Sequence, residues 1–312
     1  MPPSSSKLIL KANRAVKLFE QAVHEVLQEG LCLDMTTCLT YWETYGGTHL
    51  DVSDLPEDMR VIKVIDRSIA NRLSNKGSLA DLLRVTNLQH LAPATYHSTQ
   101  AALEHDKGHV DVWFFKPVFG TAGKSMYCVS NEELSDQNLP KHYVIQEGLS
   151  GLELRDSKKF TSRIYILIWN KIAYLYNNGF ILTHGVPFDE KSTDYKVQID
   201  HQGYSDPLSA VKIEPLNTYE KYTVFFPLIR KLAHDMLPVL RCCLDGSDRN
   251  TYIILGIDII FLKNQSIKLI EINTSPNFIH SDEVNKKVNI PLFKAAIRIL
   301  FGEQGNEMER IA

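Results

Sequence analysis

Helical spacing of apolar residues marks the first part of the chain. The apolar residues there recur every three or four positions, at Leu8, Ala12, Ala15, Phe19, Val23 and Val26. This spacing predicts an amphipathic helix over residues 7–29 that ends near Gly30. Val61–Ile65 is then predicted to be a short strand, and Ser68–Arg84 a helix with an interruption at Gly77.

Short β-rich runs replace the helical spacing in the middle of the chain. These runs are Val112–Lys116, Met126–Ser130 and Tyr143–Glu147. The longer runs Phe160–Trp169 and Ile172–Tyr176 are separated by only an Asn-Lys pair, which predicts a hairpin.

The last third of the chain combines a long polar segment with helices and a second hairpin. Residues 190–215 are polar and punctuated by proline and glycine, which favours a loop or a lid. Glu220–Leu240 has helical spacing, although its two prolines should shorten or kink the helix. A second predicted hairpin and a closing helix follow, at Ile253–Phe261, Ser266–Ile272 and Ile290–Phe301. Antiparallel hairpins interleaved with helices indicate an α+β architecture rather than a doubly wound parallel sheet.

The composition adds limits on the class of protein. The chain has 312 residues, 44% of them hydrophobic, and no apolar run is long enough to cross a bilayer. Its net charge of −3, with both signs mixed along the chain, gives no support for a nucleic-acid-binding surface. The five cysteines show no metal-ligand spacing, and the first residues lack the apolar block of a signal peptide. A cytoplasmic protein is therefore expected.

Three polar side chains interrupt the apolar strands of the second hairpin. Asp258 lies in its first strand, and Glu271 and Asn273 lie in its second. Since Glu271 and Asn273 are two residues apart, both point to one face, and Asp258 can face them from the neighbouring strand. Two buried carboxylates need a cation or a hydrogen-bond network, and magnesium prefers such oxygen ligands. The pattern predicts a magnesium site; the alternative is a pair of ordinary sheet residues bound to lysine or arginine.

A glycine-rich turn follows the first short strand of the middle segment. Lys116 ends that strand, and the small residues from Gly120 to Gly123 precede Lys124 and a new strand. Small residues let backbone N–H groups approach phosphates, and lysine adds a positive charge. The segment is not a P-loop, because Val118 stands where that motif needs its first glycine and no helix follows. An ordinary hairpin turn explains the segment equally well.

The order of these segments resembles the catalytic core of ATP-grasp enzymes, and the finer match is to the tubulin–tyrosine ligase-like family. A lysine strand, a glycine turn, the apolar strand at Tyr143–Leu149, a long strand pair and an Asp…Glu-x-Asn hairpin follow one another. The family-like segments are Asn75-Lys76, Pro93-Ala94-Thr95-Tyr96, Lys159-Phe160-Thr161-Ser162-Arg163 and the turn from Tyr174 to Gly179. The resemblance covers roughly residues 70–280, and its Asp…Glu-x-Asn block is the most specific part.

The resemblance implies roles for individual residues. The implied ATP-binding residues are Lys76, Lys116, Gly120, Gly123, Lys124, Gln146, Glu147, Gly148, Leu149 and Lys159. It also implies that Asp258, Glu271 and Asn273 bind magnesium and that Arg163 neutralises the transferred phosphoryl group. Arg163 shares one strand face with Thr161, Tyr165 and Leu167. If that face lines the cleft opposite Asp258, the guanidinium can bind phosphoryl oxygens in a fork. The plainer alternatives are a solvated Lys76 and a surface Arg163.

Two residues depart from the family pattern. Thr161 stands where the family has aspartate, which can alter the contacts to ribose. Leu182 stands where many members have an arginine, which puts family-like recognition of a carboxylate substrate in doubt. His184, nearby, could donate a hydrogen bond to the substrate in its place.

The resemblance also implies a fold and a reaction. The expected fold is an α+β ATP-grasp fold in which antiparallel sheets, flanked by helices, hold ATP between two lobes. Residues 1–95 would form an N-terminal subdomain, residues 96–150 the central lobe and residues 151–312 the lobe with the metal site.

The implied reaction is a carboxylate–amine ligation that uses ATP and magnesium and passes through an acyl-phosphate. The expected partners are a carboxylate acceptor and an amine donor, such as an amino acid, a peptide or a protein tail, without nucleic acid or membrane. Two alternatives remain. One is an ATP-grasp small-molecule kinase, although basic residues are not enriched around the core; the other is a catalytically silent binding protein.

Overall fold

In the computed structural model, the chain forms two β-sheets with helices packed against them. The structure describes residues 6–12, 17–41, 52–106, 108–120, 123–200, 208–278 and 280–312. The strands are β1 (Leu8–Ala12), β2 (Thr37–Tyr41), β3 (Arg60–Val64), β4 (Thr95–Tyr96), β5 (Val112–Pro117), β6 (Tyr127–Ser130), β7 (Tyr143–Glu147), β8 (Leu154–Arg155), β9 (Lys158–Trp169), β10 (Ile172–Thr183), β11 (Lys212–Pro215), β12 (Thr251–Phe261), β13 (Ile267–Asn273) and β14 (Met308–Arg310). The helices are α1 (Lys17–Gln28), α2 (Arg67–Ser74), α3 (Lys76–Val85), α4 (Thr99–His105), α5 (Asn131–Leu134), α6 (Tyr195–Gln198), α7 (Tyr222–Asp235), α8 (Arg241–Gly246), α9 (Asp282–Val284) and α10 (Ile290–Leu300).

The larger sheet runs in the order β1-β2-β3-β12-β9-β10-β11. β13 pairs with β12, β14 with β10, and β8 with β9. Strands β9 to β13 pair antiparallel, whereas β1, β2 and β3 are parallel to one another and β3 is parallel to β12. The smaller sheet, in the order β4-β7-β5-β6, is antiparallel throughout. The mixed α+β architecture with antiparallel hairpins is confirmed, with a parallel edge that the sequence did not predict.

Both faces of the larger sheet are buried, which explains its unbroken apolar strands. On one face, Ile164 and Ile166 of β9 pack in a core with residues of α2, α3, α7 and α8. On the other face, Tyr165 and Leu167 pack with residues of α1 and α10. Because the two faces are covered by different helices, a polar side chain in β9 or β12 must be accommodated inside the protein.

The first predicted helix is wrong over its first third. Leu8–Ala12 is β1, and the helix begins only at Lys17; residues 13–16 lie outside the described part of the chain. β1 pairs residue by residue with β2, and Leu8 and Leu10 pack against the α1–α10 core. Tertiary pairing has therefore overridden the helical spacing at this end.

The second predicted helix is interrupted two residues before the expected glycine. α2 ends and α3 begins at Asn75, whose side-chain oxygen accepts a 2.9 Å hydrogen bond from the backbone N–H of Ser78. Asparagine is a favoured N-cap, so the cap rather than Gly77 sets the break. It places Lys76 at the first position of α3.

The other helices and strands expected from the sequence are present, with differences in extent and in what lies between them. Both hairpins are present, although β10 extends to Thr183, well beyond the predicted end. The predicted lid at 190–215 contains α6 and β11, and its residues 201–207 lie outside the description. α7 tolerates Pro227 and ends before Pro238, and the supposed closing helix α10 is followed by β14. Among the described residues, no helix combines the length and apolarity needed to span a membrane.

Candidate active site

A cavity of about 870 Å³ lies between the two sheets. The smaller sheet contributes residues of β5 and β7, and the larger sheet contributes residues of β9, β10, β12 and β13. All but one of the predicted site residues line this cavity: Lys76, Lys116, Gly120, Gly123, Gln146, Glu147, Gly148, Leu149, Lys159, Arg163, His184, Asp258, Glu271 and Asn273. Residues far apart in the sequence therefore meet in one place.

Strand pairing places Arg163 directly beside Asp258. The two residues are partners in the β9–β12 register. The guanidinium holds the carboxylate in a fork, with Nε 2.7 Å from Oδ1 and Nη2 2.7 Å from Oδ2. Only 16% of the Arg163 side chain and 19% of the Asp258 side chain are exposed. Arg163 thus lies on the same sheet as Asp258 and not across the cleft from it, which corrects the sequence-based expectation.

Glu271 and Asn273 lie beside this ion pair and form a charged row with Arg163 and Asp258. Asp258 pairs with Glu271, but Ile259 pairs with Leu269, so Ile270 is an extra residue in a β-bulge. The amide nitrogen of Asn273 lies 3.0 Å from Asp258 Oδ2 and 3.2 Å from Glu271 Oε1, so it bridges the two carboxylates. The expected convergence of the three side chains is therefore present.

Lys76 reaches the same row from α3. Its ammonium lies 3.1 Å from Glu271 Oε2 and donates a 3.4 Å hydrogen bond to the carbonyl of Gly120. Burial raises the pKa of Glu271, but the charges of Lys76 and Arg163 outweigh burial and lower it to about 2. For Asp258, burial dominates and raises the pKa above its ordinary value, although Arg163 opposes this effect. Two cations thus flank two largely buried carboxylates.

Two glycines make room for Arg163. A Cβ on Gly256 would lie 2.8 Å from Pro276 Cβ and 3.2 Å from Arg163 Cδ. A Cβ on Gly179 would lie 2.1 Å from the backbone oxygen of Arg163. Gly179 follows the irregularity in β10, where the register with β9 shifts. A side chain at either position would displace the strand or the arginine.

Two buried lysines face the cavity from different sheets. Lys116 donates a hydrogen bond to the side-chain oxygen of Gln146, and Lys159 donates one of 2.7 Å to the backbone carbonyl of Gln198. Burial, helped by the charge of Lys76, lowers the pKa of Lys116 to about 7. Burial lowers the pKa of Lys159 to about 8. An anion bound beside these ammonium groups would favour their charged form.

The apolar strand expected at Tyr143–Leu149 is β7, which ends at Glu147. Gln146 donates a 2.9 Å hydrogen bond to the hydroxyl of Thr95. The Glu147 carboxylate accepts one of 2.8 Å from the backbone N–H of Ala94. Position 148 has room only for glycine, because a Cβ there would lie 2.5 Å from the carbonyl oxygen of Val112. The strand therefore ends against β4 and β5 with its last residues open to the cavity.

The glycine turn is only partly at the cavity. Gly120 and Gly123 line it, whereas the Lys124 side chain is exposed and does not; residues 121–122 lie outside the description. Gly123 has a φ of +68°, and a Cβ there would lie 2.7 Å from Ile199 Cγ2. Tyr195 donates a 3.2 Å hydrogen bond to the Gly123 carbonyl. The segment around α6 therefore closes over the turn.

The residues that depart from the family pattern lie on one wall. Thr161 and Leu182 are register partners on β9 and β10, and both line the cavity. His184 follows β10, and only 2% of it is exposed. The histidine is thus a buried residue of the cavity wall.

Sequence reasoning missed several residues that complete the cavity, chiefly Phe114, Phe188, Gln198, Ile260, Ile270 and His280. Two of them lie next to predicted residues: Phe114 precedes Lys116 by two positions, and Ile270 precedes Glu271. Strand alternation could have revealed Phe114, whereas the bulge that turns Ile270 inward leaves no signal of its own. His280 lies 4.6 Å from Phe180 between ring centres, and burial lowers its pKa to about 3.

The donor set beside Asp258 fits a magnesium ion. The carboxylates of Asp258 and Glu271 both accept from the Asn273 amide nitrogen, at 3.0 and 3.2 Å, so their oxygen atoms lie close together, and carboxylate oxygens are ligands that magnesium prefers. Among the described residues, no cluster of three or more histidine, cysteine, aspartate or glutamate side chains is arranged to hold a metal. Magnesium bound by this row would therefore need further ligands from phosphate and water.

Comparison with known proteins identifies the family of the chain. The model of the Tubulin-tyrosine ligase family matches residues 53–202 and 213–307, a span that contains every predicted site residue. Tubulin glycylase 3D of Tetrahymena thermophila is 25% identical over 209 residues, which cover 58% of this chain and 20% of that protein. Tubulin glycylase 3B of the same organism is 22% identical over 209 residues, 59% of this chain and 18% of that protein. The chain thus spans about a fifth of the length of these relatives.

Proposed function

Because the chain belongs to the tubulin-tyrosine ligase family, we propose that it is an ATP-dependent ligase that forms an amide bond between an amino acid and a carboxylate of a peptide or protein tail. The relatives are named tubulin glycylases, so a tubulin tail and glycine are the first acceptor and donor to test. A cytoplasmic setting is part of the proposal.

One observation carries the proposal: a buried row of two carboxylates, one amide and two cations faces two further lysines across a cavity of about 870 Å³. The volume lies in the range of small-molecule sites. Lys76 and Arg163 are paired with these carboxylates, whereas Lys116 and Lys159 donate to neutral oxygen atoms. Two buried ammonium groups with neutral acceptors favour the binding of a polyphosphate.

The cavity suggests how a nucleotide would be held. Adenine would lie against Gln146–Leu149, between the lobe of residues 96–150 and the lobe of residues 151–312. Lys116, Lys159 and Lys76 would bind phosphate oxygens, with Gly120 and Gly123 allowing close approach of the turn. The lysines would then be charged, because an adjacent anion favours the ammonium form.

Magnesium would be held by Asp258, Glu271 and Asn273. When bound, it would neutralise charge on the phosphate oxygens and so favour phosphoryl transfer. Lys76 and Arg163 now balance the charges of the two carboxylates. Asp258 thereby also fixes the guanidinium of Arg163, whose remaining N–H groups stay available to a substrate.

The proposed reaction has two steps. An acceptor carboxylate attacks the terminal phosphorus of ATP, ADP leaves, and an acyl-phosphate forms. The amine then attacks the acyl carbon, and inorganic phosphate leaves while the amine nitrogen loses a proton. Arg163 binds oxygens of the transferring phosphoryl group, since its charge matters most where negative charge develops. The segment around α6 excludes water that would hydrolyse the acyl-phosphate.

A coupled assay tests the proposal. The purified chain is incubated with ATP, magnesium, an amino acid panel and either tubulin or tubulin-tail peptides. A ligase releases phosphate only with both acceptor and amine, and the acceptor gains the mass of an amino-acid residue. A kinase would phosphorylate the acceptor without amine, and a silent binding protein would release nothing. Glu271→Gln is the inactive control.

A further inference from the structure

Phe114 lies at a junction of several parts of the cavity. Its ring is 8% exposed and packs with Val112 and with Ile199 of the segment after α6. Its Cε2 would lie 3.5 Å from a Cβ at Gly148, so the ring also borders the end of β7. Phe114 and Lys116 are two residues apart on β5, so both project from the same face of the strand.

Two ammonium groups share this one ring. Lys116 Nζ and Lys159 Nζ each lie over the Phe114 ring, 5.1 Å from its centre. That distance lies within the range of a favourable cation–π interaction. The two lysines come from different sheets, β5 and β9, and their hydrogen-bond acceptors, an amide oxygen and a backbone carbonyl, are neutral.

We propose that Phe114 is a positioning residue for the nucleotide phosphates, whose ring holds the ammonium groups of Lys116 and Lys159 charged and at a fixed separation. This inference rests on the proposed nucleotide site and adds to it a residue with no hydrogen-bonding group. A carboxylate in the same place would hold the lysines but repel phosphate. An aromatic ring attracts cations through the negative potential of its face, yet carries no net charge.

Burial makes such support necessary. It brings the pKa of Lys116 to about 7 and that of Lys159 to about 8, so the charged forms are only marginally stable at neutral pH. Other ionisable groups also face these lysines. Lys76, Lys159, Glu271 and Cys128 act on Lys116, and Cys128 acts on Lys159.

The test replaces Phe114 with mono-, di- and trifluorinated phenylalanine, because fluorine weakens the negative face of the ring with little change in its size. ADP affinity is measured by calorimetry for the full chain, with and without magnesium. The affinity should fall stepwise with fluorination and reach a loss of about tenfold, the equivalent of one moderate cation–π contact on each lysine. The same series at Phe115 is the control, since that ring stacks on Tyr127 on the other face of β5.

The pH profile separates this role from simple packing. A lysine that loses the cation–π contact has a lower pKa and loses its proton at a lower pH. As pH rises, the ADP affinity of the fluorinated proteins should therefore begin to decrease at a lower pH than the affinity of the wild type. The difference should be smallest near pH 6, where both ammonium groups stay charged, and largest near pH 8. Comparing variants with the wild type at each pH cancels the titration of the nucleotide and of the other cavity residues.

The outcomes are distinguishable from those of the proposed function. If the wild type binds no nucleotide, the nucleotide site itself is wrong. If the wild type binds ADP and the Phe114 series is flat at every pH, the site stands and the role of Phe114 is refuted. A loss of the same size in the Phe115 series would also refute it. Melting temperatures of each protein confirm that the fold is intact.

Discussion

Replacing Arg163 separates the chemistry of the site from its stability. Arg163→Ala removes two hydrogen bonds of 2.7 Å to Asp258 and leaves two adjacent carboxylates with Lys76 as their flanking cation. Breaking a buried pair by removing one partner costs about 3–5 kcal/mol, so we expect a loss of about 3 kcal/mol in the free energy of unfolding. Arg163→Lys keeps the charge but cannot form the fork, and its free energy of unfolding should fall by about half as much as that of Arg163→Ala.

The kinetic effect should be larger than the effect on binding. We expect Arg163→Ala to lower turnover about a thousandfold, or about 4 kcal/mol in activation free energy, while ATP affinity stays within a few-fold. The magnesium requirement should not rise, because the substitution removes a cation from beside the proposed ligands. Arg163→Lys should restore part of the turnover.

Urea denaturation, calorimetry and steady-state turnover on the same preparations measure these three quantities. Arg230→Ala is the matched control. Its guanidinium lies 2.7 Å from the Glu309 carboxylate, and the side chains of Arg230 and Glu309 are 43% and 39% exposed. Because exposed ion pairs contribute little, the free energy of unfolding should fall by about 1 kcal/mol or less. Equal losses of ATP affinity and turnover in Arg163→Ala would show that Arg163 is a nucleotide-binding residue and would refute the reasoning.

Three further predictions concern the metal site, the phosphate site and the strand that carries Arg163. Asp258→Asn and Glu271→Gln should each lower turnover more than about a hundredfold, because each removes an anionic ligand; near wild-type turnover in both would contradict the magnesium assignment. Lys116→Ala should weaken ADP binding. The ADP affinity of the wild type should fall as pH rises through about 7, because Lys116 loses its proton there, and the variant should show a smaller fall. Calorimetry at several pH values tests both expectations. Gly179→Ala should lower the free energy of unfolding by about 3 kcal/mol through overpacking, measured in urea. Gly185→Ala is the matched control and should cost less free energy of unfolding, because its Cβ would lie 3.3 Å from its nearest neighbour, the Ala210 Cβ.

The parts of the site that depend on local pattern were predictable from the sequence. Glu271 and Asn273 are two residues apart on one strand, so alternation places them on one face, and the bulge at Ile270 then brings Asp258 of the neighbouring strand opposite Glu271. Lys116 ends an apolar strand, and Gln146 lies on its neighbour β7. Short-range pairing of this kind needs no knowledge of the whole sheet.

The parts that depend on distant pairing were not predictable. Arg163 and Asp258 are 95 positions apart, and their fork exists because β9 lies next to β12 in the sheet. Spacing alone could place Arg163 on a face, but not decide between a place beside Asp258 and one across the cleft.

The error at the start of the chain has the same origin. Leu8 and Ala12 fit a helical spacing, yet β2 offers Leu8–Ala12 a full set of strand partners. Helix propensity is a weak preference that such pairing can exceed. Lys124 was predicted to bind phosphate because it lies in a glycine turn. In the structure its side chain is exposed and does not line the cavity, so a motif alone did not show which way the side chain points.

The transfer of oxygen from acceptor to phosphate tests the proposed ligase reaction most directly. A tail peptide whose acceptor carboxylate carries heavy oxygen is incubated with the protein, ATP, magnesium and the amine that supports turnover. If an acyl-phosphate forms and the amine displaces phosphate, each phosphate released carries one labelled oxygen from the peptide. Unlabelled phosphate, or ATP hydrolysis without a new amide bond, would contradict the account.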